Sequence, residues 1–419
     1  MEAFYRTKET PSIESNDEML DYLKIVAEYF DYEINQAKSY LPQGKTTIIK
    51  LIDLLERIFL PDKIYNIIIE KLQILVSYEN NYQKLSILFE HIRRIPKLKN
   101  ELLKLIENHI YQQGINTIES LNGKTSNDAI LYIETIVDIH RRFLTSIQKT
   151  FVYDPSVIGA FDKGCAKFIN QNNIEQTIGS IRKSAVFLAH YCDLLLRKKR
   201  KGVIDDDWED KLNNILIIFN YIDDKDIFMK FYQKMFAKRL INQSNVSDSF
   251  VDESLISQFK SKCGHEYTSK LEQMFKDIQL SKDLTNEYQR YQKNTYNNEI
   301  DDFSMMILTL NFWPFSQPSS IILPMKLNKT FDHFTKFYLM KHNSRKLTLL
   351  HQYSQGELQM NLKNKKYRLE VSIYQMIILL LFNQQSKWIV EQIYDQTQIK
   401  LDLLFEILSY SFSSIQNLV

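Results

Sequence analysis

The sequence predicts a mainly α-helical protein that ends in a region of mixed helices and strands. Only 9 glycines and 8 prolines occur among 419 residues, and an all-β protein would need more of both at its turns. Apolar residues recur at spacings of three and four up to about residue 300, which is the period of an amphipathic helix. After that point, short apolar runs end in proline or bend at glycine, which indicates strands.

The composition excludes several classes of protein. Hydrophobic residues make up 44% of the chain and charged residues 25%, so the chain can bury a large core and is not mainly disordered. A formal charge of +2 gives no overall basic field for nucleic acid. Cys165, Cys192 and Cys263 are the three cysteines, which cannot form a disulfide framework and are typical of a reducing compartment.

Neither a targeting segment nor a membrane segment is predicted. The first ten residues carry charges but no apolar stretch of the signal-peptide type. The longest fully apolar run, at 376–382, is far shorter than the ~20 residues that a membrane helix needs. We therefore expect a soluble intracellular protein that does not contact a membrane.

The N-terminal part is predicted to be a series of amphipathic helices. Residues 45–60 place their apolar side chains on one helical face, with Thr46 or Thr47 as the cap. Pro96 is expected to end one helix, and Gly114 to end the next through a left-handed C-cap. Two further helices are predicted at about 130–150 and 156–171. Helix after helix with short loops predicts a solenoid.

Residues 197–201, RKKRK, form a basic run that precedes an acidic stretch. Charge runs of this kind are usually solvated, so the basic run and the acidic stretch are interpreted as a loop and a helix start. The alternative is a nuclear-localisation or nucleic-acid patch.

The helix predicted at 227–240 carries a group of basic residues on one face. Its apolar side chains are expected to face inward at Ile227, Phe231 and Met235, with Phe228 and Phe236. That arrangement predicts a projecting basic surface made of Lys230, Lys234, Lys238 and Arg239. The alternative is a solvated face paired with acidic neighbours at 223–226. A further helix is expected to end at Gly264, and Thr268 to cap the one after it.

The C-terminal region is predicted to contain three strands and several helices. The strands are expected near 307–310, 347–350 and 358–362, with a helix at about 328–340 between the first two. Helical pattern returns after Tyr367 and continues to the end. Trp313 follows the first predicted strand, where it either anchors the sheet or its ligand-facing edge or simply packs in the core.

No motif in the sequence predicts catalysis. The PQGKTT segment lacks the first glycine of a phosphate-binding loop, because Ser39 stands at that position. Cys263 with His265, and His190 with Cys192, are pairs without the second pair that a zinc site requires. Metalloprotease, nucleophile-elbow and dinucleotide signatures do not occur. We therefore predict no catalytic residue, no cofactor and no metal.

Residues 221–284 resemble the homology region of cullins, the scaffolds of multi-subunit RING ubiquitin ligases. The segments FYQKMFAKRL and KCGHEYTSKLEQMFKDIQLSKDL carry the resemblance. NFWP, FYLMKHNSRKL and VSIYQMIILLLFN match further on, and FDKGCAKFIN and LAHYCDLLLRKK match upstream. The matches cover nearly the whole chain and are most similar to the branch that serves F-box adaptors.

The resemblance implies a helical-repeat stalk, a helical bundle, an α/β subdomain and a winged helix. The stalk would occupy 1–195 as the end of one repeat plus the last repeat, the bundle 196–300, the α/β subdomain 301–366 and an incomplete winged helix 367–419. The first repeat, which holds the substrate adaptor in the family, has no counterpart, so adaptor binding is not expected. The winged helix that carries the modified lysine would lie beyond Val419.

By the same resemblance, the chain would be a non-catalytic scaffold of the cytoplasm and nucleus. Three dispersed cysteines cannot supply the two zinc sites of a RING, so a RING-box protein would bring the ligase chemistry. In cullins this partner adds a strand to the α/β sheet. The residues expected to bind it are Ile307, Leu308, Thr309, Leu310, Trp313, Leu347, Leu349, Leu358 and Met360.

The basic surface of the 227–240 helix is the second site that the resemblance implies. In cullins, basic residues in this part of the bundle are linked to capture of the acidic tail of a ubiquitin-conjugating enzyme. Nucleic acid and membranes are not expected as partners. The alternative function is a truncated interaction or competitor module that holds the RING-box protein without delivering a substrate.

Overall fold

The computed structural model describes residues 13–40, 45–77, 82–121, 128–151, 153–171, 183–200, 208–242, 249–295, 303–316, 320–342, 344–362 and 365–416. These residues form sixteen α-helices, one short 3₁₀ helix at His351–Tyr353 and two β-strands. The chain divides into two compact units, Met1–Tyr232 and Gln233–Val419. The mainly helical fold predicted from the sequence is therefore confirmed.

The first unit is an array of helices. They are α1 Asn16–Tyr40, α2 Lys45–Phe59, α3 Asp62–Ser77, α4 Tyr82–Ile92, α5 Pro96–Ser120, α6 Ala129–Phe151, α7 Pro155–Asn170, α8 Lys183–Arg200, α9 Trp208–Tyr221 and the start of α10 Lys225–Ile241. Many of these helices contact helices close to them in sequence, such as α5 with α7 and α6 with α8, as in a solenoid. The predicted helices at 130–150 and 156–171 are confirmed as α6 and α7.

Proline sets two helix starts in this unit. Pro96 opens α5 and Pro155 opens α7, where a missing N–H costs no intrahelical bond. The Asp154 side chain caps α7 by accepting a hydrogen bond from the Ser156 N–H at 2.9 Å. At α2 the prediction was wrong, because Thr46 and Thr47 lie inside the helix rather than before it.

Gly114 does not end a helix, contrary to the sequence prediction. Helix α5 continues through it to Ser120. A Cβ atom placed on Gly114 would lie 2.4 Å from Cγ of Phe168, and one on Gly164 would lie 2.9 Å from the carbonyl oxygen of Glu107. These two glycines therefore allow α5 and α7 to pack against each other at short range.

The second unit contains the remaining helices and the strands. After the end of α10 come α11 Ser249–Cys263, α12 His265–Thr295, α13 Met325–Lys341, β1 Gln355–Leu362, β2 Lys365–Ser372, α14 Ile373–Leu381, α15 Val390–Thr397 and α16 Leu401–Gln416. Gly264 separates α11 from α12 with φ +86°, as predicted, since glycine tolerates this conformation. Thr268 does not cap α12, because the helix begins three residues earlier at His265.

The two strands form an antiparallel hairpin in which Gln355 lies opposite Ser372 and Leu358 opposite Leu369. The predicted strand at 358–362 is thus confirmed. Strand β2 was missed: it occupies 365–372, where the sequence prediction placed the return to helix. A capping box at Ser372 and Gln375 then starts α14.

The strands predicted at 307–310 and 347–350 do not occur in the part of the chain that the structure describes. Its one sheet contains β1 and β2 alone, and a strand requires a hydrogen-bonded neighbour. The predicted boundaries at 195 and 366 fall inside α8 and β2. The helix predicted at about 328–340 is confirmed as α13.

Candidate partner-docking site

Residues 303–309, which we call the edge segment, lie along helix α12. The Ile307 N–H donates to Oγ of Ser281 at 2.7 Å, and the Thr309 N–H donates to Oδ2 of Asp277 at 2.7 Å. Oγ1 of Thr285 lies 3.2 Å from the carbonyl oxygen of Met305. Alternate residues thus turn their main-chain polar groups towards one side, which is the geometry of an extended strand.

The Asp277 carboxylate fixes the end of the edge segment. It is buried and also accepts hydrogen bonds from Nε1 of Trp313 at 2.8 Å and Nε2 of Gln273 at 3.0 Å. Nε2 of Gln233 donates to the carbonyl oxygen of Phe312 at 2.6 Å. These contacts hold the turn that follows the segment against α12 and, through Gln233, against α10.

Trp313 packs in the core and anchors the turn at the same time. Its ring is buried and stacks on Phe315 with the ring centroids 5.4 Å apart. Phe315 in turn contacts Tyr353, with centroids 4.1 Å apart. The indole N–H donates to Asp277, so Trp313 anchors the turn to helix α12.

The opposite side of the edge segment carries unpaired main-chain groups. In the described part of the chain, the N–H and C=O groups of Met306 and Leu308 have no hydrogen bond. Met306 is 39% exposed and Leu310 is 74% exposed. A row of unpaired main-chain groups flanked by apolar side chains is a template for strand addition.

An aromatic cluster lies beneath the edge segment. Its buried members are Tyr288, Phe334, Phe337 and Tyr338. Met305 and Ile307 of the edge segment pack against it, and so does Leu347 from the 345–350 segment. The structure therefore brings Ile307 and Leu347 to one apolar base. Among the described residues no backbone ladder joins their two segments.

The remaining predicted docking residues lie elsewhere in the unit. Leu358, on β1, packs against the cluster formed by Ile373, Ile377 and their neighbours around α14. Met360 is half-buried opposite Tyr367 in the hairpin, and Leu349 is half-buried beyond Leu347. Leu358 therefore packs on α14 rather than on the aromatic cluster.

Three of the four predicted basic residues on α10 are exposed. Lys230, Lys234 and Lys238 face solvent. Arg239 was predicted to project with them and does not: its residue is 4% exposed, and Nη2 lies 3.1 Å from Oδ1 of Asp252. Asp252 on α11 is fully buried as well, and a guanidinium forms a favourable buried pair with a carboxylate.

The reason for this burial is the position of the inward stripe on α10. Phe228 and Phe236 are buried as expected, but the residue between them in the stripe is Tyr232. Ile227, Phe231 and Met235 are only half-buried. A stripe shifted by one residue brings position 239 to the inner face, because residues three apart share a face.

The polar residues that hold the edge segment were missed by the sequence prediction. Asp277, Ser281 and Thr285 stand at spacings of four on α12, so they share one helical face. A polar stripe next to the apolar stripe was visible in the sequence. What it would bond could not be read from α12 alone.

A second polar network lies in the first unit. Nε2 of His140 is 3.2 Å from Oη of Tyr221, whose hydroxyl donates to Oδ1 of Asp162 at 2.7 Å. Burial lowers the pKa of His140 and, together with the hydrogen bond to Asp162, raises the pKa of Tyr221. The network joins α6, α7 and α9.

Among the described residues, the other motifs in the sequence form no cluster of metal-ligand side chains. His190 is exposed while Cys192 is buried, and Nδ1 of His265 lies 3.8 Å from Oε2 of Glu272. Arg197 pairs with Asp193 at 2.8 Å, whereas the side chains of 198–201 and Gly44 lie outside the described residues. No cluster of three or more metal-ligand side chains occurs in the described ranges. No helix there has the length and hydropathy to cross a membrane.

Comparison with known families gives two matches. The Cullin alpha solenoid domain family matches residues 1–285, and the Cullin alpha+beta domain family matches residues 307–413. The first match ends inside α12, and the second begins within the edge segment.

Three similar proteins carry the name Cullin-1. The Caenorhabditis elegans protein is 37% identical over 312 residues, which cover 74% of this chain and 40% of that protein. The Dictyostelium discoideum protein is 32% identical over 400 residues, with 94% and 51% coverage. The Schizosaccharomyces pombe protein is 33% identical over 332 residues, with 77% and 42% coverage. The chain thus spans about half the length of the curated relatives it matches.

Proposed function

The chain belongs to the cullin family, and on that premise we propose that it is a non-catalytic scaffold of a cullin-RING ubiquitin ligase. It binds a RING-box protein and positions a ubiquitin-conjugating enzyme for ubiquitin-dependent protein degradation. The ligase chemistry comes from these partners, in the cytoplasm and the nucleus. The four-part division at 195, 300 and 366 remains a prediction that belongs to this proposal.

The half-paired edge segment carries the proposal. The N–H groups of Ile307 and Thr309 donate to side chains of α12, and the Met305 carbonyl oxygen lies 3.2 Å from Oγ1 of Thr285. Its outer groups at Met306 and Leu308 have no partner among the described residues. An incoming strand would satisfy these groups and cover the exposed side chains of Met306 and Leu310.

Binding of the RING-box protein is tested by replacing Leu308 and Leu310 with Glu. Both side chains lie beside the unpaired edge, so two carboxylates would have to be desolvated under the incoming strand, which is costly. We expect binding in a pull-down or calorimetric titration to be lost while the helical content stays unchanged. The matched control is Leu339→Glu with Met340→Glu, at two exposed apolar positions on α13, which should bind normally. Unchanged affinity of the Leu308 and Leu310 variant would contradict the docking assignment.

The exposed lysines of α10 support the second part of the proposal. Lys234 and Lys238 are exposed and one helical turn apart, so their charges add along one face. We propose that they attract an acidic segment of the conjugating enzyme, with Lys230 contributing from the same helix. Arg239 takes no part, because its guanidinium is buried against Asp252.

Charge reversal tests this attraction. Changing Lys234 and Lys238 to Glu should slow association of the conjugating enzyme at low salt, since electrostatic steering acts mainly on the association rate. RING-box binding should not change. The control exchanges Lys270 and Lys276, two exposed lysines on α12, for Glu. An association rate that is independent of ionic strength and of Lys234 and Lys238 would exclude the role.

A ubiquitin-chain assay with the RING-box protein and a charged conjugating enzyme tests the scaffold as a whole. Chain formation that requires the cullin-family chain supports the proposal. Binding of the RING-box protein without any stimulation of chain formation would favour the interaction module instead.

A further inference from the structure

Three polar residues of α12 face the edge segment at matching intervals. Asp277 contacts Thr309, Ser281 contacts Ile307 and Thr285 contacts Met305, so the two elements run antiparallel. Four residues of helix rise by about 6.0 Å, and two residues of strand by about 6.6 Å. Polar side chains at every fourth helical position therefore have nearly the same spacing as every second residue of an extended segment.

This spacing lets a helix act in place of a neighbouring strand. Oγ of Ser281 accepts from the Ile307 N–H at 2.7 Å and lies 3.1 Å from the Ile307 carbonyl oxygen. The single proton of this hydroxyl also faces the carbonyl oxygen of Asp277 at 2.6 Å, so the bond from the Ile307 N–H is the one that ties Ser281 to the segment. The inner edge of the segment is occupied before any partner arrives, and the outer edge is left open.

We infer that Asp277, Ser281 and Thr285 are positioning residues that fix the register in which the RING-box strand is added. This inference rests on the proposed function. Because Ile307 and Thr309 are bonded inward, the residues that can pair with the partner are Ser304, Met306 and Leu308. A slip by one residue would break the α12 contacts and turn Ile307 away from the aromatic cluster. Fixing the segment in advance also lowers the ordering cost of binding.

Residue-resolved hydrogen exchange tests the register directly on the full chain. In the free protein, the amides of Ile307 and Thr309 should exchange slowly and those of Met306 and Leu308 quickly. Addition of the RING-box protein should slow the second pair and leave the first pair unchanged. Uniform exchange along the free segment, or protection of the first pair only on binding, would overturn the inference.

Ser281→Ala provides the matched perturbation. Loss of the hydroxyl should abolish the protection of the Ile307 amide. It should also weaken RING-box binding on the order of tenfold, the effect of removing one partner of a buried hydrogen bond. Ser281→Thr keeps the hydroxyl and should restore both. Ser269→Ala is the control, because that hydroxyl donates only to the carbonyl oxygen of Glu266 within α12.

The outcomes separate this inference from the proposed function. If the unaltered chain shows no RING-box binding, the proposed function fails, while the alternating exchange of the free chain still decides whether α12 sets the register. If the unaltered chain binds and the Ser281→Ala and Ser269→Ala chains bind equally well, the proposed function stands and the positioning role is wrong.

Discussion

Replacement of Gly114 by Ala should destabilise the first unit. The new Cβ atom would lie 2.4, 2.6 and 2.9 Å from Cγ, Cδ1 and Cβ of Phe168, and the buried ring at 168 has little room to move. Overpacking of a core costs about 1–3 kcal/mol, and three contacts this short favour the upper end. Alanine is about 1 kcal/mol better than glycine inside a helix. The net loss should be roughly 1–2 kcal/mol.

Gly159→Ala is the matched control for this change. Gly159 also lies within a helix, but a Cβ atom there meets nothing within 4 Å. It should therefore stabilise α7 by roughly 0.5–1 kcal/mol through helix propensity alone. Hydrogen exchange of the amides in α5 and α7 measures both opening free energies without assuming two-state unfolding of the whole chain. Equal free energies for the two variants would refute the close approach of α5 and α7.

Three further predictions concern buried polar groups. Arg239→Ala should destabilise the second unit by about 3–5 kcal/mol, because Asp252 stays buried without its guanidinium. The double variant Arg239→Met with Asp252→Leu leaves no unpaired charge. It should recover most of that loss in the free energy of unfolding, measured in urea. Burial holds the pKa of His140 below its usual 6.5, with Asp162 opposing this effect and Arg141 adding to it. The unfolded chain then binds more protons between the two pKa values, so the first unit should lose stability as the pH falls through that window. His140→Gln should remove this pH dependence. Thermal unfolding that shifts with pH in the same way in the His140→Gln chain as in the unaltered chain would contradict the prediction. Trp313→Phe removes the N–H that binds Asp277 and should cost about 1–2 kcal/mol, seen as faster exchange of the Thr309 amide.

The helices could be predicted because their apolar period is a property of the local sequence. The same period could not identify the role of Gly114, since the ring of Phe168 that contacts it comes from another helix. A glycine near the end of an apolar run has the same local pattern whether it caps a helix or admits a neighbour. The role of Gly114 is set by its tertiary packing against Phe168.

Strands and buried charges were harder to predict for a related reason. The 307–310 segment has strand composition, yet it has α12 on one side and no strand on the other among the described residues. Arg239 follows a run of lysines, and its burial depends on Asp252 of the next helix. The family resemblance pointed to this region as the docking site, which stays a prediction, and the hydrogen-bonded partner of each residue is a property of the fold rather than of the local sequence.

The most direct test of strand addition removes a single outward amide. Leu308→Pro deletes the N–H of Leu308, which has no partner within the described chain, and proline fits an extended edge position. Calorimetric titration with a RING-box protein should give tight binding for the unaltered chain. For the Leu308→Pro chain, the titration should give an affinity weaker by about tenfold or more. In that chain the amides of residues 307 and 309 should stay protected from exchange, because their contacts with α12 are kept. Equal affinities for the two chains would contradict the account.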